Sequence, residues 1–107
     1  MRLLILLLSI FFTLNANVEN GKDVYIQNCS NCHRIDMKGG VGKDFNIVSY
    51  TRKKKDIIKY VTNPSKTFKE FGYSANGMPK IPLSKQEIKD VSDYIYSIQK
   101  FKKWMIK

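Results

Sequence analysis

Cys29-Ser30-Asn31-Cys32-His33 brings two thiols and an imidazole into one short run, and it contains both cysteines and the single histidine of the chain. Thiols at this spacing can each form a thioether to one haem while the adjacent imidazole ligates the iron, the reading of Cys-x-x-Cys-His as c-type haem attachment. With no further Cys or His, the chain has material for one such haem, and a second axial ligand cannot be histidine. Two other chemistries use paired cysteines. A structural zinc site needs four ligands, and only His33 and carboxylates remain to complete one. A thiol–disulfide centre is read in a βαβ context, and no strand–helix–strand pattern accompanies this pair. Haem attachment is the preferred reading.

The remaining axial ligand is sought among Met1, Met37, Met78 and Met105. Met37 follows His33 too closely to swing to the opposite haem face, and Met105 lies at the fraying end of the chain. Met78 is far along the sequence, in a loop that Gly77 and Pro79 can stiffen. Ligation by Met78 is preferred over its alternative use as a flexible core filler. A His/Met pair fills both axial positions and raises the reduction potential. A filled iron suits electron transfer better than binding of oxygen or a substrate.

The elements that position these residues read as helices joined by glycine- and proline-containing loops. Val18 to Asn28 suits a helix leading into the cysteine run, with Asn17 as N-cap, Glu19 in its first turn, and Val18, Gly21, Tyr25 and Asn28 on one face. Gly39-Gly40-Val41-Gly42 marks a loop. Asp44 to Tyr50 has no clear period. A short helix is expected from Thr51 to about Thr62, ended by the constraint Pro64 places on Asn63. Arg52-Lys53-Lys54-Lys55 at its start opposes the helix dipole. Pro64 to Phe71 suggests another short helical piece, and Asn76 to Pro82 must be extended or looped. Ser84 and Glu87 form a capping box for a last helix from Lys85 to about Lys100. Its apolar stripe is Ile88, Val91, Ile95 and Ile98, with Tyr94 beside it and Lys89, Asp90 and Asp93 directed elsewhere.

The 107-residue chain is long enough for one small domain. Met1-Arg2 followed by the apolar run Leu3–Phe12 reads as an export signal, with cleavage expected near Ala16 and residues 17–107 as the domain. An uncleaved anchor is the alternative. Export to the periplasm suits haem attachment, and it equally permits a disulfide. The net charge of +10 favours acidic protein partners or anionic membranes, and export argues against nucleic acid. A solvated lysine-rich surface is the plain alternative. The tail from Phe101 to Lys107 is expected to extend the last helix and dock Trp104, with contact to an anionic membrane as the other reading.

Taken together, these segments resemble class I cytochrome c, the small soluble monohaem electron carriers, over essentially the whole chain after the leader. Residues 18–29 resemble the family's first helix, Asn76-Gly77-Met78-Pro79 its methionine loop, and Asp90–Ile95 its last helix. The resemblance implies an all-α fold in which the first and last helices cross, with Gly21 permitting close approach and Tyr25 and Tyr94 packing at the crossing. It implies one covalent haem c on Cys29 and Cys32, with His33 and Met78 as axial ligands. It implies a monomeric electron carrier rather than an enzyme, with one haem edge near the surface. Lys38, Lys43 and Lys80 are expected to surround that edge. The expected donor is a quinol-oxidising cytochrome bc1-type complex, and the expected acceptor a terminal oxidase or peroxidase. A fixed electron-entry subunit of a larger redox complex is the alternative. There is one departure. The family has Gly-Pro-x-Leu after the haem motif, with the proline carbonyl accepting the histidine N–H, and here the run is Gly42-Lys43-Asp44-Phe45. The carbonyl of Lys43 is then the expected acceptor, without proline's rigidity.

Overall fold

The computed structural model describes residues 17–106; the expected leader, residues 1–16, and Lys107 lie outside the described residues. The described chain is helical and contains no strand. Helix α1 covers residues 17–28; α2 is Phe45–Thr51, α3 Lys54–Thr62, α4 Pro64–Thr67 and α5 Lys85–Ile98, followed by a 3-10 turn at Lys103–Met105. Among the described residues no helix is long and apolar enough to cross a membrane.

The fold is organised by the crossing of α1 and α5. A Cβ on Gly21 would overlap the Asp90 carbonyl oxygen and lie 2.6 Å from its carbon and 2.8 Å from Tyr94 Cβ, so only glycine admits this approach. Tyr25 and Tyr94 pack there with ring centroids 5.5 Å apart. Around the crossing, Val24, Tyr25, Cys29, Phe45, Ile57, Val61, Val91 and Ile95 form one buried core. Asp90 departs from the expectation that it points away. It is 3% exposed, and it is satisfied by the Asn20 amide at 2.7 Å and the Gln86 amide at 2.8 Å. A buried carboxylate is tolerated where such donors replace water.

Local chemistry explains where the helices begin and end. At α5 both bonds of the capping box form, Glu87 N–H to Ser84 Oγ at 3.1 Å and Ser84 N–H to Glu87 Oε1 at 2.9 Å. Helix α2 was hidden from periodicity. Asp44 creates it by accepting the Asn46 N–H at 2.8 Å, an N-cap that satisfies one of the helix's orphan donors. Thr51 ends α2 rather than starting α3. In α3, the Lys53 N–H donates to Asp56 Oδ2, which places a carboxylate in a first turn otherwise burdened with lysines. Asn17 is already helical, and the buried face of α1 is Gly21, Val24 and Tyr25, with Asn28 exposed. Helix α5 stops at Ile98, short of Lys100, and α4 is a single turn followed by further turns to Gly72. Beyond α5 the tail turns back instead of extending the helix, and Trp104 stacks on Tyr96 at 6.4 Å.

Candidate functional site

The cysteine run continues directly from α1. Cys29 N–H and Ser30 N–H both donate to the Tyr25 carbonyl, and the Cys29 carbonyl then accepts from Cys32 N–H at 3.2 Å and His33 N–H at 2.9 Å. The helix thus tightens into turns that hold both thiols and the imidazole within one compact segment. Both thiols are free, Cys29 buried in the core and Cys32 exposed. Burial pushes the Cys29 thiol up to about 11, with the neighbouring Cys32 adding to the effect. A reactive redox cysteine has the opposite shift. Among the described residues no three His, Cys, Asp or Glu side chains converge on a metal-sized point.

The chain encloses His33 from several directions. Its Nδ1 lies 2.8 Å from the Lys43 carbonyl oxygen. A carbonyl only accepts, so Nδ1 carries the proton and Nε2 keeps its lone pair for a metal. Gly42 lies against the ring: a Cβ there would clash with Cε1 and stand 2.6 Å from Nδ1. On another side Phe45 stacks nearly parallel to the imidazole, with centroids 4.6 Å apart and planes 14° apart. The Tyr25 hydroxyl donates to the His33 carbonyl at 2.7 Å. Backbone bonds from Gly42 N–H to the Cys32 carbonyl and from Phe45 N–H to the Arg34 carbonyl tie this loop to the cysteine run.

Asp44 steadies the same loop. Beyond capping α2, it accepts the Met37 N–H at 2.8 Å and thereby fixes Met37 at φ 62, in the left-handed region. Burial alone would raise the Asp44 carboxyl, but the Asn46 and Met37 donors outweigh it and hold it below the ordinary carboxylate range. Met37 is itself 60% exposed.

Met78 is half-buried and packs against the hydrophobic core. Its loop runs through residues 74–83, where among the described residues the one internal backbone hydrogen bond is Leu83 N–H to the Ile81 carbonyl. The preceding stretch is better held. The Arg52 guanidinium lies 4.2 Å from the Phe71 ring centroid and donates to the Phe71 carbonyl at 3.1 Å. Tyr60 packs on both Phe71 and Tyr73, and the Lys43 ammonium sits 4.6 Å from the Tyr73 centroid.

Sequence reasoning anticipated the Lys43 carbonyl but missed the Phe45 stack and the Tyr25 hydroxyl bond. Phe45 stands where the resembling pattern has leucine, which identifies the position without revealing that its ring would lie flat on the imidazole.

The sequence model of the cytochrome c family matches residues 18–99. The chain belongs to the cytochrome c family. No curated protein and no solved structure matches it. Its fold is the all-α cytochrome c fold, and its cofactor is one covalently attached haem c. The donor set fits that group: two free thiols one turn apart, followed by an imidazole whose Nδ1 is already engaged. Family membership makes the protein a haem-based electron carrier that works with redox protein partners.

Proposed function

We propose that Cys29 and Cys32 hold the haem through thioethers and that His33 and Met78 supply its axial ligands, making the protein a mobile one-electron shuttle between respiratory complexes. The observation that carries this reading is the His33 Nδ1–H bond to the Lys43 carbonyl, which leaves Nε2 as the ligating atom and fixes the ring. The haem supplies a metal centre that gains and loses a single electron. The chain's part is to keep that centre in one coordination state. Gly42, Phe45 and the Lys43 carbonyl hold the imidazole still, while the core holds Met78 half-buried. Electron transfer is fast when little has to reorganise, and a preorganised site meets that requirement.

Residues 1–16 act in this reading as an export signal, placing the mature protein in the periplasm. Lys38, Lys43 and Lys80 are exposed, and they steer acidic faces of a quinol-oxidising donor and of an oxidase or peroxidase acceptor. Partner oxidation should therefore slow as ionic strength rises. The visible spectrum of the matured protein, oxidised and then reduced, tests the ligand set. A sharp c-type band on reduction together with a sulfur-to-iron charge-transfer band in the oxidised form is expected. A haem spectrum lacking the sulfur band would remove Met78 as ligand, and absence of haem would defeat the reading.

A further inference from the structure

Residues 99–106 form an irregular strap after α5, and none of the contacts around His33 involves it. Lys102 pins the strap to the body. Only 4% of this lysine is exposed. Its Nζ donates to Ser49 Oγ at 2.6 Å and to the Tyr96 carbonyl, and it lies 4.1 Å from the Tyr96 ring centroid. Among the described residues no carboxylate pairs with it. Trp104 stacks on the same tyrosine. Lys102 and Trp104 therefore fix which side chains of the strap face outward.

Those side chains are apolar. Phe101 is 72% exposed, Met105 65% and Ile106 61%. Lys100 and Lys103 stand exposed among them, and the sequence from Gln99 to Lys107 contains no Asp or Glu. At its start, Gln99 lines a shallow surface depression with Met37, Asn46, Ile47 and Tyr50, so the strap begins beside two further exposed apolar residues.

We infer that this strap is a membrane-surface contact, in which Phe101, Met105 and Ile106 enter the headgroup–acyl boundary of an anionic bilayer while Lys100 and Lys103 meet lipid phosphates. Apolar tips interleaved with cations are what an interfacial anchor requires, and the bilayer supplies partners for both without demanding a complementary shape. The strongly basic chain, +10 over its full length and still about +9 once Arg2 leaves with the expected leader, is drawn to such a surface. Docking of Trp104 and membrane contact are not rivals here, because the docked residues orient the exposed ones. The inference stands on this surface alone and does not depend on the axial ligand set.

The test is co-sedimentation of the holoprotein with vesicles of phosphatidylcholine containing phosphatidylglycerol, and with vesicles of phosphatidylcholine alone, read by haem absorbance in the pellet. Binding to the anionic vesicles is expected, and F101S/M105S/I106S should lower the partition coefficient about tenfold or more with the visible spectrum unchanged. K100E/K103E, which keeps the apolar tips, should also weaken binding. Equal binding of the wild type and the triple variant would reduce the effect to general charge attraction and overturn the inference. Equal binding to neutral vesicles would point to a retained leader and also overturn it. Absence of vesicle binding, with strap-dependent capture of a redox partner instead, would reassign the strap to protein recognition.

Discussion

His33 and Met78 occupy segments held by different means. Around His33 the chain closes its own cage: the Lys43 carbonyl on Nδ1, Phe45 flat on the ring, Gly42 against its edge and Tyr25 bonded to its carbonyl. Around Met78 there is a loop with little internal hydrogen bonding, stiffened by Pro79 and Pro82 and leaning on the core. On the ligand set proposed above, one position is built by the polypeptide before any metal arrives. The other depends on packing and on whatever the sulfur itself binds. Segments with few buried contacts and few internal hydrogen bonds open at lower free energy than those around them. The methionine side should therefore be the labile side of the site.

The largest expected effect follows from removing the sulfur. Met78→Ala should lower the reduction potential by on the order of 0.1 V or more, abolish the sulfur–iron band and allow carbon monoxide to bind the reduced protein. In the wild type, guanidinium should erase the sulfur band at a lower concentration than it erases the helical circular dichroism. Coincident loss of both signals would show the two segments to be equally held and would break the comparison.

The glycines sharpen it. Gly42→Ala drives a methyl group into the His33 ring, and such overpacking costs about 1–3 kcal/mol. Gly77→Ala, in the methionine loop, meets nothing within 4 Å and should change stability by less than about 0.5 kcal/mol. Thermal melts of the two variants, with the potential of each, measure the contrast. A costly Gly77→Ala beside a silent Gly42→Ala would reverse it.

The smallest effect is a pH dependence confined to the His33 side. Asp44 has its folded pKa held below the unfolded value, so its contribution is fully present above the ordinary carboxylate range and is lost as pH falls through the depressed value. Asp36, held to about 2 by the Arg34 guanidinium and the Lys38 N–H, follows the same sign on the exposed end of the loop. Asp44→Asn should flatten the acid limb of the stability curve, lowering stability at neutral and higher pH while leaving the slope of the alkaline limb unchanged. An unaltered acid limb would mean that the loop is held without this carboxylate.

Much of the site was legible because its chemistry is local. Cys29, Cys32 and His33 lie on consecutive turns, so spacing alone places them together, and Ser84 with Glu87 writes the start of α5 in four residues. The missed helix α2 shows the limit. Its cap, Asp44, carries no periodic signal, and its one deeply buried aromatic, Phe45, spends its face on His33 rather than on a helical stripe.

By itself the sequence determined the Cys-x-x-Cys-His run, the helical class and the loop nature of the methionine segment, since each depends on neighbours along the chain or on a motif of fixed spacing, whereas Gly21 was marked as the crossing point by the family resemblance. Tertiary structure alone decided that Asp90 is buried against α1, that Phe45 lies flat on His33, and that Lys102 is enclosed by Ser49 and Tyr96. These depend on partners far apart in sequence. Whether a polar side chain is buried or solvated turns on which donor, acceptor or ring the fold brings to it, and no local pattern records that.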